Sequence, residues 1–415
     1  MENVINNVEE VFSKHRYAIV GQEYRKINPT FGTESNLNKR GNDIRFTIDL
    51  NDEFLNCDIK LKVSGTYNSN DSTKPYDGTT STVKMIDNFV GHLFDRIEVH
   101  KNNTLIDQIE NPGIVSTVFT CINHNGPFLS NGLLTMNSFK STTVHGGYFN
   151  AFCSLSDLGL GFFKANVPLY EGKLDLVFRR NNDDNVLYRW GSSPPVEGNI
   201  IINEFYLKVP VISYDNEAKI SLLTEIRNLK YIVPFSQWQC IKLDHVSGQT
   251  FSRDITGLYK NNFNPNFAFV VFQKDRLNNQ LVDNSVFDHM DIKNFYLELG
   301  GKRYPTESQN LNWDTNDFCL AYDAYTVFKK NFMNDKNLHC VDMNQFKTHY
   351  PIYSIDLSKQ PIPFLNRSKS QICLNVDFNK NVDPPSGAKG TVCYVILVSQ
   401  KILNINIAHN VVNFI

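Results

Sequence analysis

Apolar and polar residues alternate with a period of two through most of the chain. In IRFTIDL (44–50), Ile44, Phe46, Ile48 and Leu50 share one side while Arg45, Thr47 and Asp49 share the other. IKLKVSG (59–65) repeats the pattern with Ile59, Leu61 and Val63. Successive strand side chains point to opposite faces, so these runs predict strands with one buried and one wet face. The same reading predicts strands in KLDLVFRR (173–180), NEFYLKVPVI (203–212), YIVPFSQWQCIKL (231–243) and FNPNFAFVVFQKD (263–275). NFYLELGGKRYP (294–305), QICLNVDF (371–378) and KGTVCYVILVSQKIL (389–403) complete the set. Helical spacing is confined to short stretches. Val4, Val8, Val11 and Phe12 predict an amphipathic N-terminal helix, and Leu222, Leu223 and Ile226 predict one in a connector. NPGIVSTVFTCIN (111–123) and DTNDFCLAYDAYTVFKK (314–330) are helix-prone, and residues 15–43 read as an extended arm.

The order of these elements repeats. DNFVGHLFDRIEVHKNNTLIDQI (87–109) and DHMDIKNFYLELGGKRYPTES (288–308) each predict a β-ribbon closed by a tight turn, at Asn102-Asn103 and Gly300-Gly301. Such turns need positive φ. Further on, KLDLVF and QICLNVDF are each followed by an asparagine- and proline-containing loop and then a long final strand. A recurrence at roughly 200 residues predicts one structural plan used twice. A chain of 415 residues is also too long for one ordinary core. Many strands, long loops and few helices predict all-β sandwiches, of which the eight-stranded jelly roll is one form. The expected organisation is a helix and arm (1–43), a first sandwich (44–212), a helical connector (213–230) and a second sandwich with a tail (231–415).

Composition narrows the function classes. Hydrophobic residues make up 41%, ample for packed interiors, and 41 basic against 43 acidic residues leave a net charge of −2. A dedicated nucleic-acid binder would be strongly basic. The polar, acidic start MENVINNVEEVF is not signal-like and no long apolar run occurs, so the chain reads as soluble and made in a reducing compartment. The eight cysteines are scattered without a CxxC pair and read as buried free thiols. No nucleophile elbow, phosphate-binding loop, zinc-protease or dinucleotide motif is present, so no catalytic, cofactor or metal residue is nominated. His92 and His100 lack carboxylate companions at ligand spacing and read as packing or surface residues. The clusters NNDDN (181–185) and DNSVFDHMD (283–291) lack the spaced oxygens of a calcium loop and read as solvated loops. Lys14, Arg16, Arg25, Lys26, Lys39 and Arg40 give the N-terminal arm a mildly basic cast.

With these elements in place the chain resembles the double jelly-roll major capsid proteins of Polinton (Maverick) elements, adintoviruses and related small double-stranded DNA viruses. The resemblance lies in Asp87-Asn88-Phe89 through His92-Leu93-Phe94, then Arg96-Ile97-Glu98-Val99 and the Asn102-Asn103 turn, which here lacks the family's glycine. It continues in Asn294-Phe295, Leu297, Leu299, Gly300-Gly301 and Tyr304-Pro305, in YSIDLS (353–358) and in TVCYVILVSQ (391–400). It implies two tandem eight-stranded antiparallel jelly rolls with short helices in the connections. It also implies homotrimeric, pseudo-hexameric capsomers tiling an icosahedral shell around double-stranded DNA. The implied partners are further copies, penton or minor capsid proteins, and non-specific contact with packaged DNA or an inner membrane. The implied place is the virion, after synthesis in the host cytoplasm or nucleus, with no cofactor and no small-molecule substrate. On this reading Val4, Val8, Val11 and Phe12 clip neighbouring capsomers, and the six basic residues of the arm face the interior. A carbohydrate- or partner-binding β-sandwich, such as a domesticated element product, is the alternative.

Overall fold

The computed structural model of the chain describes residues 10–30, 37–69, 83–123, 147–165, 167–189, 197–228, 231–258, 265–332, 341–358, 371–386, 390–406 and 411–414. Its first half begins with β1 (Ile19–Ile27), β2 (Asp43–Leu55), β3 (Lys60–Ser69) and β4 (Val83–Met85). The helical turn α1 (Phe89–His92) precedes the hairpin of β5 (Phe94–Lys101) and β6 (Thr104–Glu110). Helix α2 (Pro112–Asn123) leads on to β7 (Tyr148–Ser154), β8 (Leu169–Arg180), β9 (Leu187–Arg189) and β10 (Gly198–Tyr214). Helix α3 (Asn216–Asn228) joins the halves. The second half opens with β11 (Tyr231–Val246), β12 (Gly248–Asp254), β13 (Phe267–Lys274), β14 (Ile292–Leu299) and β15 (Lys302–Tyr304). After helices α4 (Cys319–Phe332) and α5 (Met343–Thr348) come β16 (Tyr353–Asp356), β17 (Ile372–Val382), β18 (Thr391–Asn406) and β19 (Val411–Phe414).

In the first half one leaf runs β6-β5-β8-β2 and the other β10-β3-β7, with β1 alongside β10. They meet at a corner where β2 shifts register between Leu50 and Phe54 and pairs β10 only at Val211↔Leu55 and Ile212↔Phe54. A strand that changes leaf at an irregularity is a common way to close two sheets over one core. The second half repeats the order, with β15-β14-β17-β12 facing β11-β18-β13-β16 and β19 added to β18. There the corner strand is cut into β11 and β12 near His245 and Gly248, both at positive φ.

Side chains confirm that the leaves face each other. Ile44, Phe46, Ile48, Leu50, Ile59, Leu61 and Val63 are all buried, as their alternation predicts. Phe205 of one leaf meets Phe46, Phe94 and Phe178 of the other at ring separations of 5.2, 5.5 and 5.5 Å. In the second half Phe272 meets Phe378 at 6.1 Å and Phe295 meets Tyr353 at 4.8 Å. Such pairs contribute about 0.5–1.5 kcal/mol each beyond the area they bury. One strand order folded twice into facing antiparallel leaves is a double jelly roll.

The two hairpin turns have the expected backbone, with φ of 50° and 64° at Asn102 and Asn103 and of 56° and 79° at Gly300 and Gly301. The stretch read as an arm contains β1, held antiparallel to β10 from Ile19↔Tyr214 to Ile27↔Leu207. It is therefore an added sheet strand over those residues, because β10 otherwise offers an open edge there.

Candidate assembly surfaces

The sandwiches are joined by a dry seam. Helix α2 lies in it, buried from Pro112 to Ile122. Its Phe119 ring meets Trp238 edge-on at 5.2 Å, Trp238 stacks on Phe269 at 5.7 Å, and Phe269 meets Phe328 of α4 at 4.7 Å. Phe267 and Phe269 of β13 face these helices while Phe272 faces the core of its own sandwich. That double burial explains why FAFVVF is an unbroken apolar run. Tyr325 Oη donates to the Cys121 carbonyl at 2.6 Å, and Gln237 Nε2 donates to Asp107 Oδ1 at 3.4 Å. A Cβ on Gly161 would lie 1.8 Å from the Ser236 carbonyl oxygen, so only glycine lets the two backbones approach.

A polar lock continues the seam. Asn185 Oδ1 accepts from Asn278 N at 2.7 Å, Gln280 Nε2 donates to Asp184 Oδ1 at 2.7 Å, and Gly198 N donates to Gln280 Oε1 at 2.9 Å. Asp183 accepts from Arg180 at 2.5 Å and from Ile200 N at 3.1 Å. The clusters expected as solvated loops are therefore corrected. Asp183, Asn185, Asn284 and Ser285 are buried, because the loop after β8 in one sandwich docks against the loop after β13 in the other. Partners 93 to 99 positions apart leave no local signal, so sequence reasoning missed this network. His92 is 5% exposed beside it, and its Nε2 has no hydrogen bond. With Asn111, Asn181, Asn185 and Asn284 it lines a cavity of about 70 Å³. Burial pushes its pKa down to about 4, so the ring packs neutral.

Val4 and Val8 lie outside the described residues. Val11 and Phe12 are buried against the chain itself, with the Phe12 ring 6.1 Å from both Phe54 and Tyr231. These two side chains cover the junction of the sandwiches rather than standing free for a neighbour, since Phe54 and Tyr231 would otherwise meet water. His15 Nε2 lies 3.1 Å from Glu225 of α3 and tethers the same segment.

The six basic residues stand in different surroundings. Lys14 pairs with Glu10 at 3.3 Å, and Arg25 pairs with Glu53 at 2.5 and 2.7 Å. Those Glu53 bonds are the main reason the Arg25 pKa rises. Lys26 points to the opposite side of β1, its Nζ 4.1 Å over the Tyr206 ring. Arg16, Lys39 and Arg40 are exposed. Tyr17, Val20 and Ile220 are also exposed apolar residues, and Asp215 N donates to Ala18 O at 3.0 Å, bringing the start of β1 beside α3.

Among the described residues no three His, Cys, Asp or Glu side chains converge as a metal site, and no helix is long and apolar enough to cross a membrane. His100 pairs with Glu98 at 3.1 Å on the surface of β5. Cys57, Cys121, Cys153, Cys240 and Cys393 are buried thiols, and burial raises the Cys57 and Cys240 thiols to about 12, which keeps them unreactive.

The family model described as the double jelly roll-like domain matches residues 83–403. The chain belongs to that family. The double jelly roll of its description is the fold that the strand order above builds. Among solved structures, the cryo-EM structure of the Sputnik virophage superposes with a TM-score of 0.61 at 12% identity, covering 96% of this chain and 89% of that one. The capsid of the virus PBCV-1 gives 0.59 at 10% identity, covering 95% and 96%. The mavirus major capsid protein gives 0.53 at 10% identity, covering 94% and 90%. No curated protein matches the chain in sequence.

Proposed function

We propose that this double jelly-roll chain is the major capsid protein of a double-stranded DNA virus of the Polinton (Maverick) and adintovirus-like group. Three copies form a pseudo-hexameric capsomer, and capsomers tile an icosahedral shell. The observation that carries the reading is the seam. Two like sandwiches fixed side by side by α2 and the amide lock give each copy two equivalent corners, and threefold closure of such a unit has six. The fold likeness to viral capsid proteins over nearly the whole chain supports it. The phrases at 87–103 and 294–305 support the narrower group.

The working partners are then further copies, with penton or minor capsid proteins at the vertices and DNA or a lipid layer beneath. The exposed Arg16, Lys39 and Arg40 are suited to an interior anionic surface. Negative-stain microscopy with light scattering tests the reading. Hexagonal particles with the mass of three chains are expected, and a well-behaved monomer at high concentration refutes it. Because Val11 and Phe12 belong to the chain's own core, the test of the N-terminal segment is removal of residues 1–9 alone. Trimers that no longer close into shells are expected, and normal shells would exclude that role.

A further inference from the structure

Lys26, Lys208 and Lys60 stand in one row across three neighbouring strands, with Lys26 opposite Lys208 in the β1–β10 pair and Lys208 opposite Lys60 in the β10–β3 pair. They share the outward face, since Leu61, Leu207 and Val209 between them are buried. Like charges directly opposite destabilise a sheet. Lys62 adds a fourth on the same face. Among the described residues Lys60 pairs with Asp58 at 3.7 Å, while Lys26, Lys62 and Lys208 form no ion pair. Lys26 and Lys208 lie over the Tyr206 and Tyr24 rings at 4.1 and 4.5 Å, and Tyr24 is 50% exposed. A basic, aromatic face that repels itself gains stability from an acidic partner.

The second sandwich carries the complement. A groove of about 330 Å³ between α4 and β16 has a floor of Leu320, Val327, Phe328 and Ile355. Among the described residues Glu307, Asp323 and Asp356 line it and no Lys, Arg or His does, and all three carboxylates are exposed and form no ion pair there. Ser354, 6% exposed, and Gln309 also line it, and Ser354 Oγ and Gln309 Oε1 have no hydrogen-bond partner. A buried polar atom left unpaired costs free energy that a docked surface can recover.

We propose that the lysine–tyrosine face of one copy docks into the acidic groove of a second copy. This rests on the capsid reading only in requiring that copies associate. Face and groove lie on different sandwiches, so the contact is heterologous and its repetition closes a ring or runs on as a chain. Nucleic acid is the other polyanion such a face could meet. The matching carboxylate groove on the same near-neutral chain favours a second copy.

The test pairs Lys26→Glu with Lys208→Glu in one variant and Asp323→Lys with Asp356→Lys in another, read by sedimentation velocity at matched concentrations. Each variant alone should associate roughly tenfold or more weakly, as charge reversal at a complementary interface does, and the two mixed should regain the wild-type mass. Undiminished assembly of either variant overturns the docking proposal and leaves the capsid reading standing. Loss in both without recovery on mixing also overturns it. A wild type that stays single at high concentration refutes both. If the lysine variant loses binding to a short DNA duplex but keeps its mass, the face serves nucleic acid and the proposal fails. Circular dichroism identifies a variant that does not fold. Lys26→Gln with Lys208→Gln then replaces it, with a smaller shift in the same direction expected and no shift counting against the proposal.

Discussion

In the first sandwich the outer face of β10 and β3 holds Lys208, Tyr206, Lys60 and Lys62 against water. In the second, the equivalent strands β18 and β13 are buried on both faces, with Phe267 and Phe269 turned onto α4 and Trp238. Strand order is the same in both halves, so the pairing plan does not dictate which faces are dry. Position does. The second sheet lies against α2 and α4 at the seam, and its strands read as continuous apolar runs, whereas the first keeps strict alternation because one side stays wet.

The largest effect should come from the dry side. Trp238→Ala removes the ring that α2 and β13 share and should cost about 3–5 kcal/mol, read as a lower melting midpoint. Tyr24→Ala on the wet face should stay within about 0.5 kcal/mol, and equal losses at the two sites would erase the contrast.

The cavity beside the seam should respond to acid. Burial holds the His92 pKa below its ordinary 6.5, down to about 4, so the unfolded chain takes up the proton first. The stability tied to the neutral ring is complete above pH 6.5 and is lost as pH falls towards 4, by roughly 3 kcal/mol at the lower end. The melting midpoint of the wild type should therefore fall more steeply over that range than that of His92→Gln. Parallel curves would remove His92 from the account.

A smaller loss is expected for Tyr325→Phe, which leaves the Cys121 carbonyl without its 2.6 Å donor. The cost is about 1 kcal/mol, measurable by urea denaturation. The smallest effects separate the two hairpins. Asn103, at φ 64°, should gain about 0.5 kcal/mol on replacement by glycine, while Gly301→Asn should lose a similar amount. Opposite signs in the two halves would confirm that each turn demands the same backbone from different residues.

Much of the fold was legible. Ile44 to Leu50 and Ile59 to Val63 showed their buried faces because a period of two is a local property of a strand. The Asn102-Asn103 and Gly300-Gly301 turns were equally local, and so were helices α2 and α4. The order of elements exposed the repeat. Far less of the assembly surface could be read. Lys60, Lys62 and Lys208 alternate with inward residues in their strands, but nothing local said that Lys60 and Lys208 would line up in one row with Lys26. Val11 and Phe12 had the spacing of a docking helix without any indication of what they would dock on.

The sequence by itself determined the strands, their inward faces, the tight turns and the twofold use of one plan, since each depends on neighbours a few positions apart. Tertiary structure decided the register that aligns Lys26 with Lys208 and Lys60, the burial of Asp183 and Asn185, and the dry seam around Trp238. Those depend on segments tens to hundreds of residues apart meeting in space. An asparagine or a lysine carries the same local pattern whether its partner is water or another part of the chain.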